Sequence, residues 1–160
     1  MGIDRESMKK TLLQVLDETF ERYHGVYLDE GTALLETLRG IDYRQASIPV
    51  GGGCATLAAQ VAHVTFYLEV LERELTGEGD EEVDWDAIWR TVGAVTAEEW
   101  DGLRANLERT YRRIDATLRA ADAWEVEPHV CAILPITVHT AYHLGEIRQA
   151  LCILDEATSP

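Results

Sequence analysis

Nowhere does the chain contain an apolar run approaching the roughly 18 residues that a membrane-spanning helix needs, so no span is expected. Cysteine is also scarce. Cys54, Cys131 and Cys152 are odd in number, far apart and without a C-x-x-C pair. That excludes a disulfide framework or a zinc ribbon and fits a reducing cytoplasm. Each thiol is expected to be buried and structural. Basic side chains are few as well: 14 Lys and Arg stand against 29 Asp and Glu, a net charge of -15. Such a balance repels phosphate backbones and anionic lipid. The densest basic cluster, Arg109, Arg112 and Arg113, is interleaved with Glu108 and Asp115. Neither nucleic acid nor a membrane surface is therefore expected as a partner, and the acidic surface reads as solubility. The opening "MGIDRESMKK" has no apolar core of a signal peptide, and Glu6 breaks the myristoylation pattern. A cytoplasmic protein is expected. Strand-like alternation, internal repeats and low-complexity tracts are missing too.

What remains is a chain of 160 residues, 46% hydrophobic and 27% charged. It is long enough for one domain over 1–160 with a core that needs no staple. Asp4 can cap a helix that runs through "RESMKKTLLQVLDETFERYHG", with Leu12, Leu13, Leu16, Phe20 and Tyr23 at helical period. The pattern continues to Gly40 as one long helix, kinked or broken where Gly25 and Gly31 weaken it. Pro49 and Gly51 to Gly53 make "IDYRQASIPVGGGCAT" a loop. Thr56 caps a second helix ending near Gly77. An acidic connection follows, with a helical turn at 86–91. Thr96 and Glu99 form a capping box for a third helix, whose stripe is Trp100, Leu103, Leu107, Tyr111, Ile114 and Leu118. Pro135 either sits in the first turn of the last helix or kinks a helix begun near Pro128. That helix runs to about Leu154. Four striped helices predict an all-α protein, a four-helix bundle with long connections. Trp85, Trp89, Trp100 and Trp124 fall in or near those connections. They either close the ends of the core or face an interface.

The stretch "VHTAYHLGEIRQAL" places His139 and His143 four apart, with Glu146 on the same face. Side chains so spaced are neighbours on a helix, and two imidazoles can reach one metal ion. His63, among apolar residues of the second helix, is the candidate third ligand. It shares a face with Thr56, Gln60 and Tyr67. If the two polar stripes meet, the core holds a wet pocket. Spacing alone leaves open whether these are hydrogen-bonded core histidines or ligands. Glu21 and His24 have the spacing used in di-iron bundles, but no second Glu-x-x-His accompanies them. His24 and His129 are expected to be solvated or supporting residues. Cys54 near a helix start lacks a base beside it, and the glycine run matches no phosphate loop.

One histidine early in the second helix, with H-x-x-x-H followed by G-E-I in the last, resembles the DinB-like superfamily. The matching text is "ATLAAQVAHV" and "HTAYHLGEIRQAL", and the helix order agrees over nearly the whole chain. "GGGCAT" stands where many members have Trp-Ser or Trp-Thr. The resemblance implies that His63, His139 and His143 hold a divalent metal, zinc or nickel, with open positions. It also implies a homodimer. Relatives include bacillithiol S-transferases and the mycothiol-dependent maleylpyruvate isomerase. A low-molecular-weight thiol cosubstrate and transferase or hydrolase-like chemistry on a small molecule follow as expectations. Glu146 would orient a histidine or take a proton, and Gln60 and Tyr67 would position substrate. The other expectation is a non-catalytic, metal-binding stress-response protein with a structural or vestigial triad.

Overall fold

The computed structural model describes residues 4–79, 82–122 and 124–158. Residues 1–3 of the opening stretch and residues 80–81 of the acidic connection lie outside the described residues. Among those described, the structure is helical throughout, without strands. In chain order the helices are α1 (Arg5–Phe20), α2 (Leu34–Arg39), α3 (Tyr43–Ala46), α4 (Leu57–Thr76), α5 (Ala87–Thr91), α6 (Ala97–Ala120) and α7 (Cys131–Thr158). The long helices pack on one another: α4 lies against α6 and α7, and α1 against α7 and α6.

The helix starts are where cap chemistry places them. Asp4 accepts hydrogen bonds from the backbone N–H groups of Glu6 and Ser7. The Thr56 hydroxyl accepts from Ala59 N–H, and Thr96 with Glu99 closes a reciprocal capping box. Each satisfies helix-end donors that have no partner within the helix. The α6 stripe is buried as its period predicts: Trp100, Leu107, Tyr111, Ile114 and Leu118 are in the core, where Tyr111 stacks on Phe20 with ring centroids 4.3 Å apart.

Of the two expectations for the stretch up to Gly40, a kink or a break in the twenties, the structure has the break. The first helix stops at Phe20, and residues 21–33 form a loop before α2. The break has a cause beyond glycine. Glu18 is fully buried, and its carboxylate accepts hydrogen bonds from the backbone N–H groups of Val26, Tyr27 and Leu28 at 2.7 to 3.2 Å. Those donors would otherwise serve a continuing helix. Gly25 and Gly31 take positive φ angles of 74° and 77°, which L side chains rarely adopt. The connection after Gly40 holds more structure than a loop: Asp42 caps α3 through Arg44 and Gln45 N–H, and residues Val50–Gly52 form one tight 3-10 turn. A wide turn at Val126–Val130 leads directly into α7. Pro135 is the fifth residue of α7, so it forfeits only the N–H that would bond to Cys131, at the helix edge.

The tryptophans divide into two pairs. Trp100 and Trp124 are buried and donate to the carbonyls of Ile41 and Leu118 at 2.8 and 3.0 Å, closing the core. Trp85 and Trp89 are partly exposed and lie against the residues described next. All three cysteines are free and exposed, contrary to the expectation of buried thiols. Cys54 sits in the loop before α4, Cys131 opens α7, and Cys152 is on the outer side of the last turns of α7. None belongs to a core stripe. The basic cluster of α6 is engaged with neighbours: Arg112 with Glu21 and Glu108, Arg113 with Glu72, and Arg109 with Asn106. Among the described residues, no helix is long and apolar enough to cross a membrane.

Candidate metal centre

α4 and α7 pack side by side, and their polar stripes meet. His63 comes from the first half of α4. His139 and His143 come from the middle of α7, one turn apart, so both imidazoles leave the same face. Their Nε2 atoms converge. His139 Nε2 is 3.2 Å from His63 Nε2 and 3.2 Å from His143 Nε2. All three ligand atoms lie within 4.8 Å of one another, and the three side chains form the group suited to a metal ion. Histidine nitrogens about 2.0 to 2.1 Å from a tetrahedral zinc ion sit about 3.3 Å apart, which both 3.2 Å spacings match.

Burial sets the charge state. His63 and His143 are buried, and His139 is half-buried. Desolvation is the leading cause that holds all three imidazoles below the ordinary histidine pKa. A positive charge on His143 would add to the effect at the other two. His139 is pushed down to about 4, with repulsion from His143 and His63 reinforcing burial. The cluster is therefore neutral at pH 7 and offers lone pairs, the form in which imidazole binds metal.

The supporting contacts are unequal. His143 Nδ1 lies 2.6 Å from Gln60 Oε1 and 2.9 Å from Glu146 Oε2. Both are acceptors, so the proton belongs on Nδ1 and the Nε2 lone pair points into the cluster. Gln60 Nε2 in turn donates to Glu146 Oε2 at 3.2 Å, which fixes the amide orientation. His63 and His139 are held by rings instead. Trp89 stacks on His63 at 4.4 Å between centroids, and Tyr67 stacks on His139 at 3.7 Å. Trp85 packs against Tyr67 and Phe66. Their Nδ1 atoms are buried and make no hydrogen bond to the chain. The donor set fits a metal ion, whereas only one of its three members has the outer nitrogen anchored as metal-bound histidines usually do.

The structure thus brings together His63, His139, His143, Glu146, Gln60 and Tyr67. Gln60 and Tyr67 both touch the histidines directly. Thr56 shares their stripe but is spent elsewhere, capping α4 and donating to Gly93 O at 3.1 Å. The Glu21–His24 pairing does not form: His24 Nε2 bonds to Asp17, and Glu21 pairs with Arg112. His129 is local too, accepting from Glu125 N–H and stacking near Trp124. Sequence reasoning missed Trp89 and Tyr142, whose ring edge meets His143 at 4.9 Å. Trp89 had no readable signal, because its role depends on where the acidic connection folds back. Tyr142 had one: it precedes His143 and lies four before Glu146. A cleft of about 470 Å³ adjoins the site through Gln60, Glu146 and Tyr142, although none of the three histidines lines it.

In comparisons with protein-family models, with curated proteins and with solved structures, no match was found.

Proposed function

We propose that the chain is a metal-dependent enzyme of DinB-like type, with one divalent ion, zinc or nickel, held by His63, His139 and His143. The observation that carries this reading is the pair of 3.2 Å spacings that bring the Nε2 atoms of three neutral imidazoles together, two of them buried and one half-buried. The order of long helices and the "HTAYHLGEI" stretch on α7 support the bundle and family part of it. Three neutral ligands leave the ion its full charge and leave coordination positions free, as in catalytic rather than closed structural sites. Such an ion supplies Lewis-acid chemistry, lowering the pKa of a water or a thiol it contacts.

The chain's own residues have separable roles in this reading. Gln60 and Glu146 keep the His143 proton at Nδ1 and so aim its Nε2 inward. Tyr67 and Trp89 cover the faces of His139 and His143's partner His63, excluding water from one side. Glu146, at the edge of the cleft, is placed to take a proton from a bound small molecule. A low-molecular-weight thiol attacking an electrophilic small molecule is the reaction to try first. A homodimer in the cytoplasm completes the proposal.

Burial of His63 and His143 together with the Trp89 stack favours a second reading, a non-catalytic metal site in a stress-response protein. Elemental analysis after reconstitution tests the metal: about one zinc or nickel ion per chain is expected for one three-histidine site, and none would end both readings. A thiol-plus-electrophile screen on the loaded protein then separates them, since turnover is expected only of the enzyme.

A further inference from the structure

The cleft beside the histidines is unlike the rest of the surface. It has a volume of about 470 Å³, within the range that holds small molecules. Val50, Ala55, Leu57, Ala150 and Ile153 give it apolar walls. Among the described residues, Glu146 is the only charged one that lines it, with no lysine, arginine or aspartate beside it. Glu146 is about a third exposed, with the remainder of its surface against Gln60 and His143. The Tyr142 hydroxyl lies close enough for the carboxylate to push its pKa up.

From these observations we propose that the cleft binds a small organic cation: a primary ammonium on an apolar body. The selectivity follows from chemistry already present. A carboxylate beside apolar walls attracts a cation and repels an anion, and it does so more strongly than in open water because the walls exclude solvent. Ammonium groups donate several hydrogen bonds, and bonds to a charged acceptor are the strong ones. The Tyr142 ring at the rim offers a face to which cations are drawn. The strongly acidic chain, at -15, raises the local concentration of cations further. The apolar walls then select for a hydrocarbon body over a simple inorganic ion. This inference rests on the cleft itself and not on the metal.

Cys54 makes it testable. Its thiol is free, exposed and part of the cleft lining, whereas Cys131 and Cys152 are free and exposed but do not line it. An occupant should shield Cys54 alone. The experiment measures alkylation rates of the three thiols by mass spectrometry in the full-length protein, with hexylammonium, hexanoate and hexanol as probes. It is run on metal-free and on zinc-treated protein. Hexylammonium is expected to slow modification of Cys54 at concentrations about tenfold lower than hexanol does, the margin of a charged hydrogen bond. Hexanoate should give no protection, and Cys131 and Cys152 should be unaffected. Glu146→Gln should remove the preference for the ammonium over hexanol. Equal protection by hexanol, none by any probe, or a preference that survives Glu146→Gln would overturn the proposal. The metal-free arm keeps the two readings apart: if zinc binds and the ammonium does not, only the cation site falls. If the ammonium binds and zinc does not, only the metal centre falls.

Discussion

Two groups of polar side chains, one at the end of α1 and one between α4 and α7, are completed in opposite ways. At the C-terminal end of α1, Glu18 gives its carboxylate to three backbone N–H groups of the following loop, and Asp17 meets Arg22 and His24. Between α4 and α7, three imidazoles turn their nitrogens toward one another, and two Nδ1 atoms find no partner in the chain. Both groups are buried and both adjoin clefts; that around Asp17 measures about 370 Å³. The difference is satisfaction. Buried polar groups are nearly always hydrogen-bonded, so a group whose needs are met by the chain is explained by folding alone. One whose ring nitrogens converge on a common point is a group that could hold a metal ion. A cleft does not by itself distinguish them.

The largest effect that should divide the two is on stability. Glu18→Ala removes the acceptor for three loop N–H groups, and unfolding by urea should show a loss of about 3 kcal/mol. An unchanged midpoint would mean that the loop holds itself. His139→Ala should behave in the reverse way: zinc affinity falls by more than about a hundredfold, because even supporting contacts to a metal ligand are worth 10- to 100-fold. The metal-free fold should survive, as read by circular dichroism. If zinc affinity is kept, the converging nitrogens are not the site. Next in size is Glu146→Gln, for which zinc titration should give a loss of about 10- to 100-fold with the fold intact.

The smallest effect is a pH dependence of metal-free protein. His139 has a folded pKa of about 4 against an ordinary value of 6.5, so the unfolded chain binds more protons between those values. Stability is fully present above about pH 6.5 and is lost as pH falls toward 4. Thermal melts over that window should show a falling midpoint, and the slope should shrink in His139→Ala. A flat profile in wild type would show that the cluster's burial imposes no cost on protonation.

How far the sequence disclosed this arrangement depends on which physics was local. The starts of α1, α4 and α6 were legible because Asp4, Thr56 and Thr96 act within a few residues of themselves. The α6 stripe was legible from its period. A break in the twenties was legible from Gly25 and Gly31, but its start at Phe20 was hidden, since it depends on Glu18 reaching eight to ten residues ahead to a loop. His139 and His143 were visible as a pair, but the meeting with His63 needed α4 and α7 to pack with their polar stripes facing. The cysteines were misplaced because burial was inferred from residue type rather than from position on a stripe. Trp89 could not be found at all, because it comes to His63 only through tertiary folding of a connection that carries no strong pattern.

His63 and His139 stand 76 positions apart along the chain. The segment between them contains all of α5 and α6, along with the second half of α4 and the start of α7. A ligand bridging those two imidazoles would close that whole span into a ring, much as a disulfide does, and would penalise the unfolded chain by shrinking its freedom. It would also favour the folded form in proportion to its own concentration. With a metal ion bound, the centre between α4 and α7 would be a removable crosslink, and resistance to heat would become a property that the supply of metal sets.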